Sequence, residues 1–266
     1  MLICFDAAAA ECEIPPAPGL SWVVLRADRP GASAARNMGW RAAAAPLVLF
    51  LDDDIVPGRR LIAEHLAWHR SRPQPEIGVL GLVRWADEVR VTPFMRWLER
   101  GVLFDFASIA GDEAGWGRFY SCNVSVKRAM LARVGGFDEQ EFPFLYEDLD
   151  LGRRMSAHGF RLLYNRGAAA EHLKTETPDS WEGRLALIAA SEYRFIRRYP
   201  SERPYFYDRF RAAVQGAPPR GIGAALARFV PPRVPVLGPR VWASYDAVWW
   251  RRLAPAFLAA WKTAGR

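Results

Sequence analysis

The 266 residues carry 51% hydrophobic and 24% charged side chains, the balance of a folded chain with a sizeable core and not of a disordered one. Charge is uneven: residues 1–177 hold 21 Lys+Arg against 23 Asp+Glu, and residues 178–266 hold 15 against 6, so the excess of +7 belongs to the last third. No apolar run approaches the ~20 residues that cross a bilayer, and the first residues lack the basic-then-apolar pattern of a signal peptide.

Residues 2–5 form a short apolar run that ends at Asp6, and residues 22–25 form a second; both are predicted strands. Gly31 and Ser33 introduce an Ala-rich helix to about Ala44, with Ser33 as its expected N-cap. Leu47 to Leu51 is continuously apolar, the pattern of a buried strand, and stops at Asp52, Asp53 and Asp54. A helix over 59–70 and a strand over 77–83 follow. Residues 93–106 read as helical, 111–117 as a Gly-containing loop around Trp116, and 119–126 as a strand. A helix over 127–134 stops at Gly135-Gly136, and one over 147–158 is closed by Gly159. A strand over 160–164 lies before His172, and 180–198 is helical. The strand–helix alternation predicts an α/β domain with a mostly parallel sheet, over residues 1–199. Beyond Pro200 the Pro, Arg and Trp content predicts a separate basic, helical region over 200–266.

Three carboxylates at a strand tip repel one another unless a cation or hydrogen-bond donors compensate. Alternation would turn Asp52 and Asp54 to one side and Asp53 to the other. Oxygen ligands suit Mg²⁺ or Mn²⁺, which would bridge phosphates; a solvated acidic turn is the bland alternative. Tyr146-Glu147-Asp148-Leu149-Asp150 opens a helix, where acidic residues are favourable for dipole reasons alone; functionally, one carboxylate could serve as a general base. His172 is either structural or a ligand. Trp116 could stack on a ligand or anchor its loop.

Taken in order, Gly31-Ala-Ser-Ala-Ala-Arg36-Asn37-Met-Gly39, Leu49-Phe-Leu-Asp-Asp-Asp54 with Pro57, Asn123-Val-Ser-Val-Lys-Arg128, Gly135-Gly-Phe-Asp138, and Glu147-Asp-Leu-Asp-Leu151 with Arg154 resemble the family 2 glycosyltransferases of GT-A fold. The resemblance covers about residues 1–175. It implies an inverting transfer of a sugar from a nucleotide-diphosphate donor, UDP most commonly, onto an acceptor hydroxyl. Asp148 would be the base, with Glu147 shaping the acceptor side. Asp52, Asp54 and His172 would hold a divalent ion. Asp6, Arg36, Asn37, Asp52 and Asp53 would approach the donor, and Trp116 and Asn123 the acceptor. The family usually has a strand and a helix before the strand matched by residues 2–5, so the expectation is a start set too far downstream, or a fragment.

In residues 240–262, Trp242, Tyr245, Trp249 and Leu253 share a helical face beside Arg240, Arg251, Arg252 and Lys262, and Pro255 should kink or interrupt the helix. Such a helix either lies on an anionic membrane surface or packs on the protein. Three cysteines, Cys4, Cys12 and Cys122, with no metal spacing, suit a reducing compartment. The combined expectation is a cytoplasmic enzyme at the inner face of the plasma membrane, acting on a glycan or lipid-linked acceptor in cell-surface synthesis and without a nucleic-acid partner. The alternatives are a nucleotidyltransferase, or a non-catalytic module that binds a nucleotide sugar or a membrane.

Overall fold

The apolar runs become strands in the computed structural model, which describes residues 1–10, 13–14, 19–216 and 237–265. β1 (Leu2–Phe5) and β2 (Val23–Arg26) pair in parallel as a two-stranded sheet. The helix α1 (Ala32–Ala42) packs on β1 so closely that a Cβ on Gly39 would come within 2.8 Å of Cys4 Sγ. Its N-cap is Gly31, not Ser33: the backbone there has φ 131°, a value that favours glycine, and the Ser33 hydroxyl instead donates to Phe142 O at 2.5 Å.

A five-stranded sheet is ordered β3 (Leu47–Leu51), β6 (Asn123–Lys127), β5 (Ile77–Trp85), β7 (Arg161–His172) and β4 (Ile55–Pro57). The α/β class is as expected, but the sheet is mixed: only β5–β7 is a parallel pair, and the other three pairings are antiparallel. β3, β5 and β7 therefore point one way, and their carboxyl ends share one edge. β7 is longer than the sequence suggested and contains His172, and β6 begins at Asn123 rather than at 119. Val79, Leu80, Val124 and Val126 are fully buried at the sheet centre.

Between Gly81 and Val83 of β5 the register with β7 shifts: Gly81 faces Asn165 and Val83 faces Ala170, so the extra residues of this bulge belong to β7. Asn123, fully buried on the neighbouring strand, donates its amide to Leu82 O at 3.2 Å and Ala168 O at 2.9 Å. Its Oδ1 meets His65 Nε2 at 3.0 Å, on the helix α2 (Leu61–Ser71). The chain of contacts continues from His65 Nδ1 to Ser125 Oγ (2.7 Å), on to His69 Nε2 (2.8 Å), and from His69 Nδ1 to Lys127 Nζ (2.9 Å). A single direction satisfies every member: Lys127 donates to His69, His69 to Ser125, Ser125 to His65, and His65 to Asn123. Burial first, then Lys127 and His65, push the His69 imidazole down to about 4, so it stays neutral and can accept from Lys127.

The described residues fall into two compact units, Met1–Glu88 with Ser108–Leu173, and Val89–Ala107 with Lys174–Arg266. The second unit thus combines residues 89–107 with residues 174–266. Of the helix expected over 93–106, only α3 (Pro93–Leu98) forms, with Thr92 as its cap. The helices α4 (Arg128–Val134) and α5 (Glu147–Ser156) belong to the first unit. The second unit contains α6 (Pro178–Arg198), α7 (Tyr205–Gln215) and α8 (Leu237–Ala264), the last running through Pro255 without interruption. Glu192 of α6 is fully buried and accepts from the N–H groups of Phe206 and Tyr207 at 2.8 Å each, satisfying the orphan donors that open α7. Trp249 and Trp250 of α8 pack around Trp97 of α3, and Phe257 stacks on Phe210 of α7 at 4.6 Å. Trp249 and Trp250 thus pack within their own unit while staying half-buried.

A Cβ at Gly81 would overlap the Asn123 amide and the Ala168 carbonyl, whereas one at Gly117 meets nothing within 4 Å. Gly81→Ala should therefore lower stability by about 1–3 kcal/mol, seen as a fall in Tm, while Gly117→Ala leaves it almost unchanged. Equal Tm values for the two variants would contradict the packing described at the bulge.

Candidate active site

Four chain segments converge where β3, β5 and β7 end. Asp52, Asp53 and Asp54 follow β3, Trp85 ends β5, His172 ends β7, and β4 starts opposite His172. The tip is a turn closed by Ile55 N donating to Asp52 O at 3.2 Å, and Leu173 N donates to Asp54 O at 2.9 Å. Asp53 is exposed and Asp52 and Asp54 are half-buried, but in this turn Asp52 and Asp54 do not face one common side as alternation would have it. Asp53 is turned to solvent, away from Arg36 and His172.

The centre of the site is Arg36 on α1. One guanidinium nitrogen lies 2.9 Å from Asp52 Oδ1 and the other 2.8 Å from Glu147 Oε1, and the group sits 5.7 Å above the Phe137 ring. Burial alone would lower its proton affinity, but Asp148, Asp52 and Glu147 together raise it well above the usual arginine value. A permanently charged, planar fork suits two carboxylates approaching from different segments.

Glu147 and Asp148 open α5, and the chain reaches them through two successive residues in left-handed backbone, Leu145 (φ 58°) and Tyr146 (φ 66°). Non-glycine residues adopt this conformation at a cost of about 1–3 kcal/mol each, and such strain concentrates at functional sites. It is held in place nearby: Asp150 pairs with Arg154 at 2.7 Å, and Arg154 also donates to Val134 O and Gly136 O. Asp148 Oδ2 accepts from Ser121 N and Ser121 Oγ, both at 2.9 Å, while Oδ1 is buried without a hydrogen-bond partner. Burial and then Glu147 push the Asp148 carboxyl up to about 7, against the opposing pull of Arg36 and Ser121. The helix N-terminus favours the ionised form of this group, and desolvation outweighs it. A carboxyl titrating near neutrality is well matched to general-base work.

His172 Nε2 lies 3.6 Å from Asp54 Oδ1, and the Trp85 ring meets the imidazole edge-on at 5.2 Å. Asp52 is turned to Arg36 instead, so the expected three-residue metal set is not assembled, and no group of three His, Cys, Asp or Glu side chains is arranged for an ion among the described residues. The donor chemistry still fits. Mg²⁺ is commonly held by one or two carboxylates, with substrate phosphates and water completing the shell.

The remaining expectations divide. Asp6 accepts from Ala8 N at 2.6 Å and from Gly31 N, so its carboxylate fixes the loop before α1. Asn37 is fully buried; its amide donates to Phe137 O (2.9 Å) and Glu139 (2.6 Å), and its oxygen accepts from Trp40 Nε1 (2.7 Å) and Phe137 N (2.9 Å). It locks α1 to the turn after α4 and has nothing left for a nucleotide. Asn123 is likewise a buried packing residue of the bulge and not an acceptor contact. Trp116 is half-buried, with its carbonyl against Gly152 and Arg153 standing 5.9 Å over its ring, which favours the loop-anchor alternative. Sequence reasoning missed Ser121, and also Cys122, whose thiol is pushed well up by burial and then by Asp52 and Asp148, and so stays protonated.

The profile of a family described as glycosyltransferase like family 2 matches residues 7–187. A protein named validoxylamine A glucosyltransferase, from Streptomyces hygroscopicus subsp. jinggangensis, is 30% identical in an alignment of 201 positions that covers 66% of this chain and 46% of that protein. Its counterpart from subsp. limoneus is also 30% identical, over 43% of its own length. The chain thus spans less than half the length of these relatives. Among solved structures, Staphylococcus aureus TarS 1–349 in complex with UDP is similar at a TM-score of 0.45 and 16% identity, over 90% of this chain and 75% of that one. The mannosyltransferase PcManGT from Pyrobaculum calidifontis in complex with GDP-Man and Mn²⁺ is similar at 0.45 and 17%, over 94% and 60%.

With its folded value raised to about 7 from 3.8, Asp148 stabilises the fold most fully below the unfolded value, and this contribution is lost as pH rises through 7. Asp148→Asn should therefore be the more stable protein at pH 8, by about 1–3 kcal/mol once the residue's remaining exposure is discounted, with the gain shrinking towards pH 4. Tm measured across that range tests this; a variant less stable than the parent at pH 8 would contradict the burial assigned to Asp148.

Proposed function

This chain belongs to the glycosyltransferase like family 2, and from that premise we propose that it is an inverting, metal-dependent enzyme of GT-A fold that moves a sugar from a nucleotide-diphosphate donor, a UDP-sugar first, to an acceptor hydroxyl. The observation that carries this reading is Asp148: a carboxyl with one oxygen clamped and the other buried and unpartnered, beside Arg36, Asp52 and Glu147. Oδ1 accepts the proton of the acceptor hydroxyl, and the freed oxygen displaces the diphosphate at the anomeric carbon in one step, which inverts that centre. Arg36 and Glu147 keep the acidic groups in register. Asp54 and His172 would hold the divalent ion, Mn²⁺ or Mg²⁺, whose chemistry is to stabilise the charge on the leaving diphosphate. Because Arg36 already neutralises Asp52, the ion is read as arriving with the donor.

We read the acceptor as a glycan or lipid-linked precursor of the cell surface. Transfer of a glucosyl group to an acceptor like the one named for the Streptomyces relatives is the second reading, favoured by their 30% identity. The second unit carries 19 Lys+Arg against 9 Asp+Glu and is read as facing an anionic membrane surface from the cytoplasm, through charge and not through its packed tryptophans. No helix among the described residues is long and apolar enough to cross a membrane.

The test is release of nucleoside diphosphate from UDP-glucose, UDP-N-acetylglucosamine, UDP-galactose and GDP-mannose, each with Mn²⁺ or Mg²⁺. One donor should be turned over, with loss of about 10²–10⁴-fold in Asp148→Asn and loss of metal stimulation in Asp54→Ala. Turnover indifferent to both substitutions would overturn the reading. Pyrophosphate released from a nucleoside triphosphate would point to a nucleotidyltransferase, and neither binding nor turnover to a non-catalytic module.

A further inference from the structure

Ser121 lies in the turn that leads into β6, and only 1% of its surface is exposed. Both of its donors, the backbone N–H and the hydroxyl, point to the same oxygen, Asp148 Oδ2, at 2.9 Å each. A carboxylate otherwise rotates in a broad, roughly two-fold well about its last bond, so either oxygen could face the acceptor. Two donors from one rigid residue remove that choice. Oδ2 is fixed in the protein, and Oδ1 is the oxygen left without a partner.

We infer that Ser121 is a positioning residue of the transfer reaction, selecting Asp148 Oδ1 as the atom that takes the acceptor's proton. The inference rests on Asp148 being the base. In the step it serves, the acceptor O–H proton passes to Oδ1 while an acceptor oxygen pair forms the bond to the anomeric carbon. The bond from that carbon to the diphosphate oxygen breaks, with its electron pair leaving on the diphosphate. Ser121 touches neither substrate. It acts through the carboxylate, by holding its plane and by favouring its charged form. The other groups that bear on Asp148 are Glu147 on its own helix, Arg36 from α1, Asp52 from the end of β3, and the protonated Cys122 beside Ser121.

Ser121→Ala keeps the backbone donor and loses the hydroxyl; Ser121→Thr keeps both. The experiment uses the full chain with Mn²⁺ and UDP-glucose, reading kcat and KM for UDP release. In parallel, carboxyl-labelled aspartate is followed by carbon NMR from pH 4 to 9, with the Asp148 signal identified by its absence in Asp148→Asn. The NMR readout needs no substrate. Ser121→Ala should move the Asp148 midpoint upward by about half a unit or more, because a hydrogen bond to the charged form is gone. It should lower kcat by about 10- to 100-fold with KM for the donor unchanged, the scale of a misplaced catalytic group. Ser121→Thr should restore both. If Ser121→Ala changes neither midpoint nor kcat while Asp148→Asn abolishes turnover, the inference is overturned and the base assignment stands. If Asp148→Asn keeps full turnover, both fall together. A general loss of Tm in Ser121→Ala with an unmoved midpoint would reduce Ser121 to a packing residue, which also overturns the inference.

Discussion

The site depends on one guanidinium. Asp52, Glu147 and Asp148 come from segments far apart in the chain, and carboxylates brought that close repel one another. Arg36 stands between the strand tip and the start of α5, 2.9 Å from Asp52 and 2.8 Å from Glu147. It does from within the protein what a divalent ion is usually invoked to do. The acidic edge can therefore be assembled before any donor or metal arrives. In the proposed reading an ion is left with the neighbouring Asp54–His172 pair, which would need the donor's own phosphates to complete a shell.

Around this pairing the fold accepts local cost. Leu145 and Tyr146 are strained, and Asp148 is desolvated enough to titrate near 7. These are stability losses concentrated at one edge, and the rest of the first unit offsets them with a well-satisfied interior. Asn37 has its amide and its oxygen bonded within the protein, and the chain from Lys127 to Asn123 hands hydrogen bonds in one direction through two neutral histidines. That chain supports the bulge that carries β7 on to His172, so the packing beneath the site and the Asp54–His172 pair at its rim are parts of one arrangement. Destabilised groups on a rigid frame fit the usual trade between activity and stability.

Local patterns made part of this readable in the sequence. Apolar runs gave most strands within a few residues, and the aspartate triplet and the Glu147–Asp148 pair marked the edge where the chemistry lies. Tertiary facts were not readable. Strand direction in the sheet depends on which strands pair, so a run such as 47–51 looked parallel when it pairs antiparallel with β6. Asn37 and Asn123 sit inside motifs and looked like ligands; only the structure reveals that their amides are already used. Ser121 carries no signal a sequence pattern could weigh, since a serine before a strand is commonplace. The pairing of His65 with His69, one helical turn apart on α2, was a signal available and not used. In the last third, an amphipathic aromatic stripe fits a membrane surface and a helical core equally well, and the packing around Trp97 decides for the core.

The most direct measurement is the uptake of Mn²⁺ by the chain, followed by the electron paramagnetic resonance of the free ion, with and without UDP. With Arg36 holding Asp52, Mn²⁺ alone should bind weakly, and UDP should tighten its binding by about tenfold or more, a coupling of about 1.4 kcal/mol. Tight Mn²⁺ binding that ignores UDP would mean the carboxylates form a metal site of their own. No uptake even with UDP would mean that the edge built around Arg36 does not receive a metal–diphosphate at all.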